Sequence, residues 1–448
     1  MSTKEAPLRM FEPFSIKGVR FENRILRSAM GGKMCYYDGT VNNAWSNFER
    51  RFARHGVGGI ISTTLAVDSR RSSPLEYPKI SEDRFVGPLR DGIRKIKAGN
   101  EVVYIAQVGD PGYLTQTSLF SQKADGRTSS AIVDGLYGYR SYCTAMTKAE
   151  IAHSVEEHVK GVVRAREAGA DGVEITAAKG YLIHQFLNPG INRRDDEYGG
   201  TPEKRFRLLR EVVEGARAAV GADFLLGVRL SAADHNHLPI NFRWPPTAYF
   251  RGNKLAQTLK YAQELEGLGV DYLHVAHGFG FPNPKENVGD YPLDQIRIFA
   301  NTTRHLGFKC WVRAAFLNSI PTFLLRPIMG IGWRPPTREN ADNAAAFKKV
   351  LKIPVIANGG FQERDVIEET LREGKSDFVS MARPLLANPD LLAVFKAGKN
   401  APERPCTRCN RCVILTAVQP VGCYEPLRFK SQDEMERQVL RWSADPEA

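Results

Sequence analysis

Eight short apolar runs rich in β-branched residues alternate with eight helix-period segments along this chain. That alternation constrains the fold more than any other feature. The runs are Arg24–Met30, Val57–Val67, Glu101–Val108, Gly172–Ala177, Phe224–Ser231, Tyr272–His277, Pro354–Gly360 and Asp377–Arg383. The helical segments are Ala44–His55, Phe85–Ala98, Lys148–Ala168, Pro202–Val220, Lys254–Leu268, Arg338–Leu351, Glu363–Glu373 and Asn388–Ala397. Continuously apolar strands are covered on both faces, the condition of a parallel sheet wrapped by helices. Eight consecutive units close into a (β/α)8 TIM barrel more readily than they spread into an open sheet. The expected fold class is therefore α/β.

Helix boundaries support the count. Thr147 and Glu150 form a capping box before Ile151, and Thr201-Pro202 places a cap before a first-turn proline. Gly169 and Gly269 stand where the helices before strands four and six should stop. Three connections exceed what a barrel needs: Asp110–Met146, Ala232–Asn253 (with His235, His237 and Trp244) and Gly278–Thr337. They follow strands three, five and six, on the catalytic face. The last is long enough for helices of its own, expected around Leu293–His305 and Ala315–Leu325. The 448 residues then divide into a barrel over 1–400 and a cysteine-containing extension over 401–448.

Lys and Arg exceed Asp and Glu by 12. This charge gathers in no run or recognition motif, so the expectation is a generally basic surface that attracts phosphorylated ligands, with no nucleic-acid partner. No signal peptide is legible in MSTKEAPLRMFEPF, and no apolar stretch approaches the roughly 18 residues of a membrane span. A cytoplasmic protein with small-molecule partners and no membrane association is expected. Seven cysteines, of which Cys406, Cys409, Cys412 and Cys423 cluster, argue for a reducing compartment and a candidate metal site. His235 and His237 lack nearby carboxylates or cysteines and read as lid residues.

Strands seven and eight end in Ala-Asn-Gly-Gly-Phe361 and Met-Ala-Arg-Pro384. Barrels commonly hold a phosphate there; Gly359 and Gly360 admit a close backbone approach and Arg383 adds a charge-assisted fork. Strand four runs into a polar, aromatic loop carrying Lys179, Tyr181, His184 and Gln185.

The segment VEITAAKGYLIHQFL resembles the fourth-strand signature of the Old Yellow Enzyme family of FMN-dependent NADH:flavin oxidoreductases. PVIANGGF and DFVSMARPLLANPDL are similar to that family's phosphate-binding strands, and FEPFSIKGVRFENRILRSAM to its opening hairpin and first strand. The resemblance spans roughly residues 10–400. It implies an FMN cradle made of Ser28, Ala29, Met30, Gly31, Gln107, Arg229, Gly359, Gly360, Ala382 and Arg383, with NAD(P)H as reductant. Gln107 would meet the pyrimidine end of the ring and Arg229 its N1 side.

In the family, strand four supplies a His-x-x-His or His-x-x-Asn pair that holds the substrate oxygen, and a tyrosine that donates a proton. Here Tyr181 matches the tyrosine, but Thr176 and Lys179 stand at the paired positions. Three expectations follow: ene reduction with Lys179 or Thr176 holding the oxygen; flavin-dependent oxidation of an amine or C–H bond; or a catalytically silent flavoprotein. The tail, Cys406-x-x-Cys409-x-x-Cys412 and then Cys423, resembles the iron–sulfur segment of one family branch. Only 25 residues follow Cys423, leaving no room for the second flavin domain of that branch. Cluster, zinc and reduced thiols all remain open there.

Overall fold

The computed structural model describes residues 8–68, 77–114, 127–134, 141–236, 246, 250–280, 283–333 and 338–441. His237 and Trp244 lie outside them. Eight parallel strands close on themselves: β1 (Ile25–Arg27), β2 (Gly59–Ile61), β3 (Val103–Gly109), β4 (Gly172–Ala177), β5 (Leu225–Ser231), β6 (Tyr272–Ala276), β7 (Val355–Asn358) and β8 (Phe378–Met381). Each pairs with its sequence neighbours, and β8 pairs with β1 to complete the ring. This is the (β/α)8 barrel that the alternation predicts.

An antiparallel hairpin, Phe14–Ile16 with Val19–Phe21, precedes β1. Its Phe14 and Phe21 pack edge-on against Phe378 at 5.2 and 4.9 Å, closing the amino-terminal end of the barrel. Among the described residues eight helices wrap the strands: α1 (Asn43–Arg54), α2 (Val86–Lys97), α3 (Lys148–Glu167), α4 (Pro202–Val220), α5 (Leu255–Gly267), α6 (Glu339–Val350), α7 (Arg364–Arg372) and α8 (Leu391–Lys396). The capping box at Thr147 and Glu150 forms as expected, and Thr201 caps α4 with Pro202 at its first position. The main core lies between strands and helices. Trp45, Phe48 and Phe52 of α1 are fully buried in it, each contributing roughly 1.5–3 kcal/mol.

The apolar run over residues 57–67 is not one strand. After Ile61 the chain breaks at Ser62–Thr64 before Leu65–Ala66 pairs again with the end of β3. The break has a cause: Ser62 Oγ accepts from Gln107 N (2.9 Å) and Thr63 Oγ1 donates to Met30 O (2.6 Å), replacing ladder bonds. The expected helix over Ala315–Leu325 is also corrected. Helices run Phe308–Ser319 and Thr322–Met329, separated at Ile320–Pro321. Proline drives the residue before it into extended backbone, and Ile320 sits at φ −94°, ψ 127°. The first helix of that connection, Leu293–Thr303, lies where expected.

Candidate active site

Strand register builds the site's floor. Alternate residues of each strand point into the barrel, and Glu174 of β4 stands beside Gln107 of β3, as Thr176 stands beside Arg229 of β5. Glu174 accepts from Gln107 Nε2 at 2.7 Å and from Tyr272 Oη at 3.3 Å, and it bonds His274 Nδ1 at 2.9 Å. His274 Nε2 lies 2.8 Å from Ser380 Oγ, which donates to Asn358 Oδ1 at 3.1 Å. Asn358 Nδ2 then donates to Glu286 Oε1 at 3.3 Å. A buried polar layer therefore crosses the barrel from β3 to the long connection after β6. Burial lowers the His274 pKa, against the pull of Glu174.

Above this floor opens a cleft with about 1150 Å³ of empty space, counted to its solvent mouth. Ser28, Ala29, Met30 and Gly31 line one side, Gln107 and Arg229 the floor, and Gly359, Gly360, Ala382 and Arg383 the far end. The ten residues of the expected cradle thus share one cavity. Lys179 and Tyr181 line it too. Thr176 is buried at the end of β4 but does not line the cleft; its methyl group packs where Gly109 leaves room.

A single turn presents Lys179 and Tyr181. Tyr181 N donates to Ala178 O at 3.2 Å, and the central residues Lys179 and Gly180 lie at φ 61° and 78°. Positive φ is uncommon for lysine and costs roughly 1–2 kcal/mol. The surroundings hold it there. Gly180 N donates to His184 Nδ1 (3.1 Å), whose Nε2 bonds Asp234 Oδ1 (2.8 Å), while Gln185 Nε2 donates to Gly180 O (2.6 Å). His184 and Gln185 therefore lock the turn rather than face the cleft.

The electrostatics are unusual. Lys179 Nζ contacts the carboxylate of Glu286, which also accepts from His277 N at 2.9 Å and lies 3.9 Å from Arg229 Nη2. Burial and the Arg229 and Arg383 guanidiniums push the Lys179 pKa well below its usual value. Tyr181 Oη hydrogen-bonds Tyr77 Oη, and the two rings stack at 6.2 Å. Burial raises the Tyr181 pKa to about 12, while bonds to Tyr77 and Thr64 and the charge of Arg229 work the other way.

The residues fit a flavin and its phosphate. Arg229 is buried, and its Nε has no hydrogen-bond partner. Gly359 has φ 95°, and a Cβ there would meet Asn340 Nδ2 at 2.4 Å. Arg383 Nη1 donates to Val288 O and Asn410 Oδ1 at 2.9 and 2.6 Å. Arg408, held by Glu363 at 3.0 Å, adds another cation to the lining.

The extension reaches the same cleft, with Cys406 and Cys412 on its wall. Cys406, Cys409, Cys412 and Cys423 together line a small adjoining pocket. Burial raises the thiol pKa values of Cys406, Cys409 (to about 11) and Cys412. Arg428 Nη1 lies 3.2 Å from Cys423 Sγ. Among the described residues, the grouping of three or more ligand atoms mutually within 4.8 Å is His235, His277 and Glu339. Glu339 is also ion-paired with Lys285 at 2.8 Å.

The model of the NADH:flavin oxidoreductase / NADH oxidase family matches residues 9–243 and 332–402. The chain belongs to this family. A metal reductase of Desulforamulus reducens is 29% identical over 92% of this chain and 53% of its own length. An NADPH dehydrogenase of a Geobacillus species is 28% identical over 85% of this chain and 91% of its own. The old yellow enzyme homologue from Zymomonas mobilis superposes with TM-score 0.64 at 20% identity, covering 89% of this chain and 96% of that one. The Old Yellow Enzyme resemblance read from the motifs is thus borne out. It spans about half the length of the metal reductase. No helix among the described residues is long and apolar enough to cross a membrane.

Sequence reasoning missed Thr64, Tyr77, Glu286 and Arg408. Thr64 and Tyr77 follow β2 in a run read as plain strand or loop. Glu286 lies in a long connection without local pattern, and no signal there pairs it with Lys179. The polar layer leaves a trace, since Glu174 and Thr176, like His274 and Ala276, fall at alternate strand positions.

Proposed function

We propose that the protein reduces an activated C=C bond with hydride equivalents drawn from NAD(P)H. The observation that carries this is one turn aiming the Lys179 amine and a phenol, Tyr181, into the cleft that holds the ten cradle residues. FMN, when bound, supplies the hydride chemistry and is recharged by the nicotinamide. Arg229 would face its pyrimidine side, and Arg383 with Gly359 and Gly360 its phosphate. Lys179 replaces the family's oxygen-binding pair, donating to the carbonyl or carboxylate that activates the alkene and stabilising the charge that develops on it. Thr176 has no part in this reading, because its hydroxyl does not reach the cleft lining.

Tyr181 donates the proton. With a pKa raised to about 12 it stays protonated at neutral pH, and Tyr77, Thr64 and Arg229 favour the phenolate left behind. Anaerobic NADPH or NADH should bleach the yellow protein, and an enone should restore the colour. Tyr181→Phe should slow the second step on the order of 10²-fold or more while leaving the first nearly unchanged. Equal loss in both steps refutes the acid role.

One observation favours a second reading. Glu286 places a carboxylate in the cleft, a partner for an ammonium substrate undergoing oxidation. In that case the amine bleaches the flavin and the nicotinamide does not.

We further infer that the four cysteines hold an iron–sulfur cluster, because their spacing resembles the iron–sulfur segment of one family branch and Arg428 supplies a donor to a sulfur. It would supply one-electron transfer beside the cleft. Iron and acid-labile sulfide in anaerobically purified protein are expected; stoichiometric zinc without iron refutes it.

A further inference from the structure

The connection after β6 carries a surface that the reaction does not use. On helix Phe308–Ser319, Phe308, Trp311, Val312 and Phe316 are all exposed, at spacings that put them on one face. The next helix, Thr322–Met329, exposes Phe323, Leu324 and Ile328, and Ile331 follows. Phe308 is 77% exposed, Phe323 74% and Ile331 70%. Contiguous large apolar side chains presented to water mark an interaction site.

Four further observations describe this surface. The helices lie in the long connection after β6, within the stretch 244–331 that the family model leaves unmatched together with α5 and β6. From 295 to 338 the sequence has no Asp or Glu, but it has Arg297, Arg304, Lys309, Arg313, Arg326, Arg334 and Arg338. Arg304, Arg326 and Arg338 are exposed. The hairpin is also braced: Arg297 donates to Leu317 O (2.9 Å), Ile320 O (2.6 Å) and Thr322 Oγ1 (2.6 Å), fixing the bend at Pro321. Its inner face joins an apolar cluster running from Leu317 and Leu325 through Tyr291 and Phe279 to Tyr181. The outward aromatic face is thus rigidly attached to the rim of the cleft.

We propose that residues 308–331 are a peripheral membrane anchor that seats the mouth of the barrel on an anionic lipid surface. Aromatic and aliphatic tips enter the headgroup boundary while the surrounding arginines meet lipid phosphates. A second copy of the chain is the poorer occupant. An isologous contact would oppose two copies of segment 295–338, each with seven cations and no anion. Such attachment needs no spanning helix. An apolar substrate could then pass from lipid to cleft without crossing water.

Flotation of the full-length flavin-loaded protein with phosphatidylcholine vesicles containing 30% phosphatidylglycerol tests this. The protein should float with these vesicles, weakly with pure phosphatidylcholine, and less in high salt. Trp311 emission should shift to the blue on binding. Phe316→Ser/Phe323→Ser/Ile328→Ser should abolish flotation while leaving flavin content and melting temperature unchanged, because all three side chains are exposed. Replacing Arg304, Arg326 or Arg338 by Gln should each weaken binding roughly fivefold. Flotation that the triple variant retains overturns the proposal. So does its absence from anionic vesicles, or a dimer in sedimentation velocity that the triple substitution disrupts.

Discussion

Glu286→Gln tests whether the cleft's charges are balanced as a unit. Glu286 is buried, contacts Lys179 Nζ, and lies 3.9 Å from Arg229 Nη2. Neutralising it leaves two buried cations without their shared carboxylate, with Arg383 nearby. Breaking a buried pair from one side costs about 3–5 kcal/mol. Lys179→Met should cost less, since Glu286 keeps Arg229, His277 N and Asn358 Nδ2 as partners. The double variant Lys179→Met/Glu286→Gln should recover most of the loss, giving a coupling of about 1–3 kcal/mol. Urea unfolding of the four proteins, all freed of flavin at one ionic strength, measures it; flavin must be absent because it stabilises only the native state. Additive losses, or a Glu286→Gln protein as stable as the parent, refute the shared-carboxylate argument. With flavin restored, Glu286→Gln should also bind an anionic substrate analogue more tightly.

Gly359→Ala should weaken flavin retention and cost roughly 1–2 kcal/mol of stability, because it requires an L side chain at φ 95° against Asn340; thermal melting and flavin absorbance after dialysis read both. Lys179→Gly should melt no lower than Lys179→Met, since glycine relieves the positive φ that methionine keeps, yet both should lose ene reduction. Tyr181 titrates near 10 when unfolded and about 12 when folded, so the native state holds that proton more tightly. Its stabilisation is complete below pH 10 and lost as pH rises toward 12, a difference of up to about 2.7 kcal/mol for two units. Tyr181→Phe should flatten that part of the alkaline stability profile.

The barrel was legible because each strand is an uninterrupted apolar run and several helices announce their ends through side chains such as Thr147, Glu150 and Pro202. The cradle was legible as motifs, since backbone-binding glycines and strand-end cations are local in sequence. The charges that decide how the cleft behaves were not. Lys179 meets Glu286 from 107 positions away, and Tyr181 meets Tyr77 from 104. Pairings of that kind depend on barrel closure and leave no periodic trace. Pro321 was visible throughout, and its effect on Ile320 outweighs the helical pattern on either side.

Cys406 and Cys412 belong to the final tenth of the chain, yet they stand in the wall of the cavity beside residues of β1 and β8. During synthesis the barrel can be assembled while this wall is still emerging from the ribosome. The nascent protein thus passes through a stage with an open-sided cleft, accessible to cofactor. Arrival of the extension then shuts the opening behind whatever has entered.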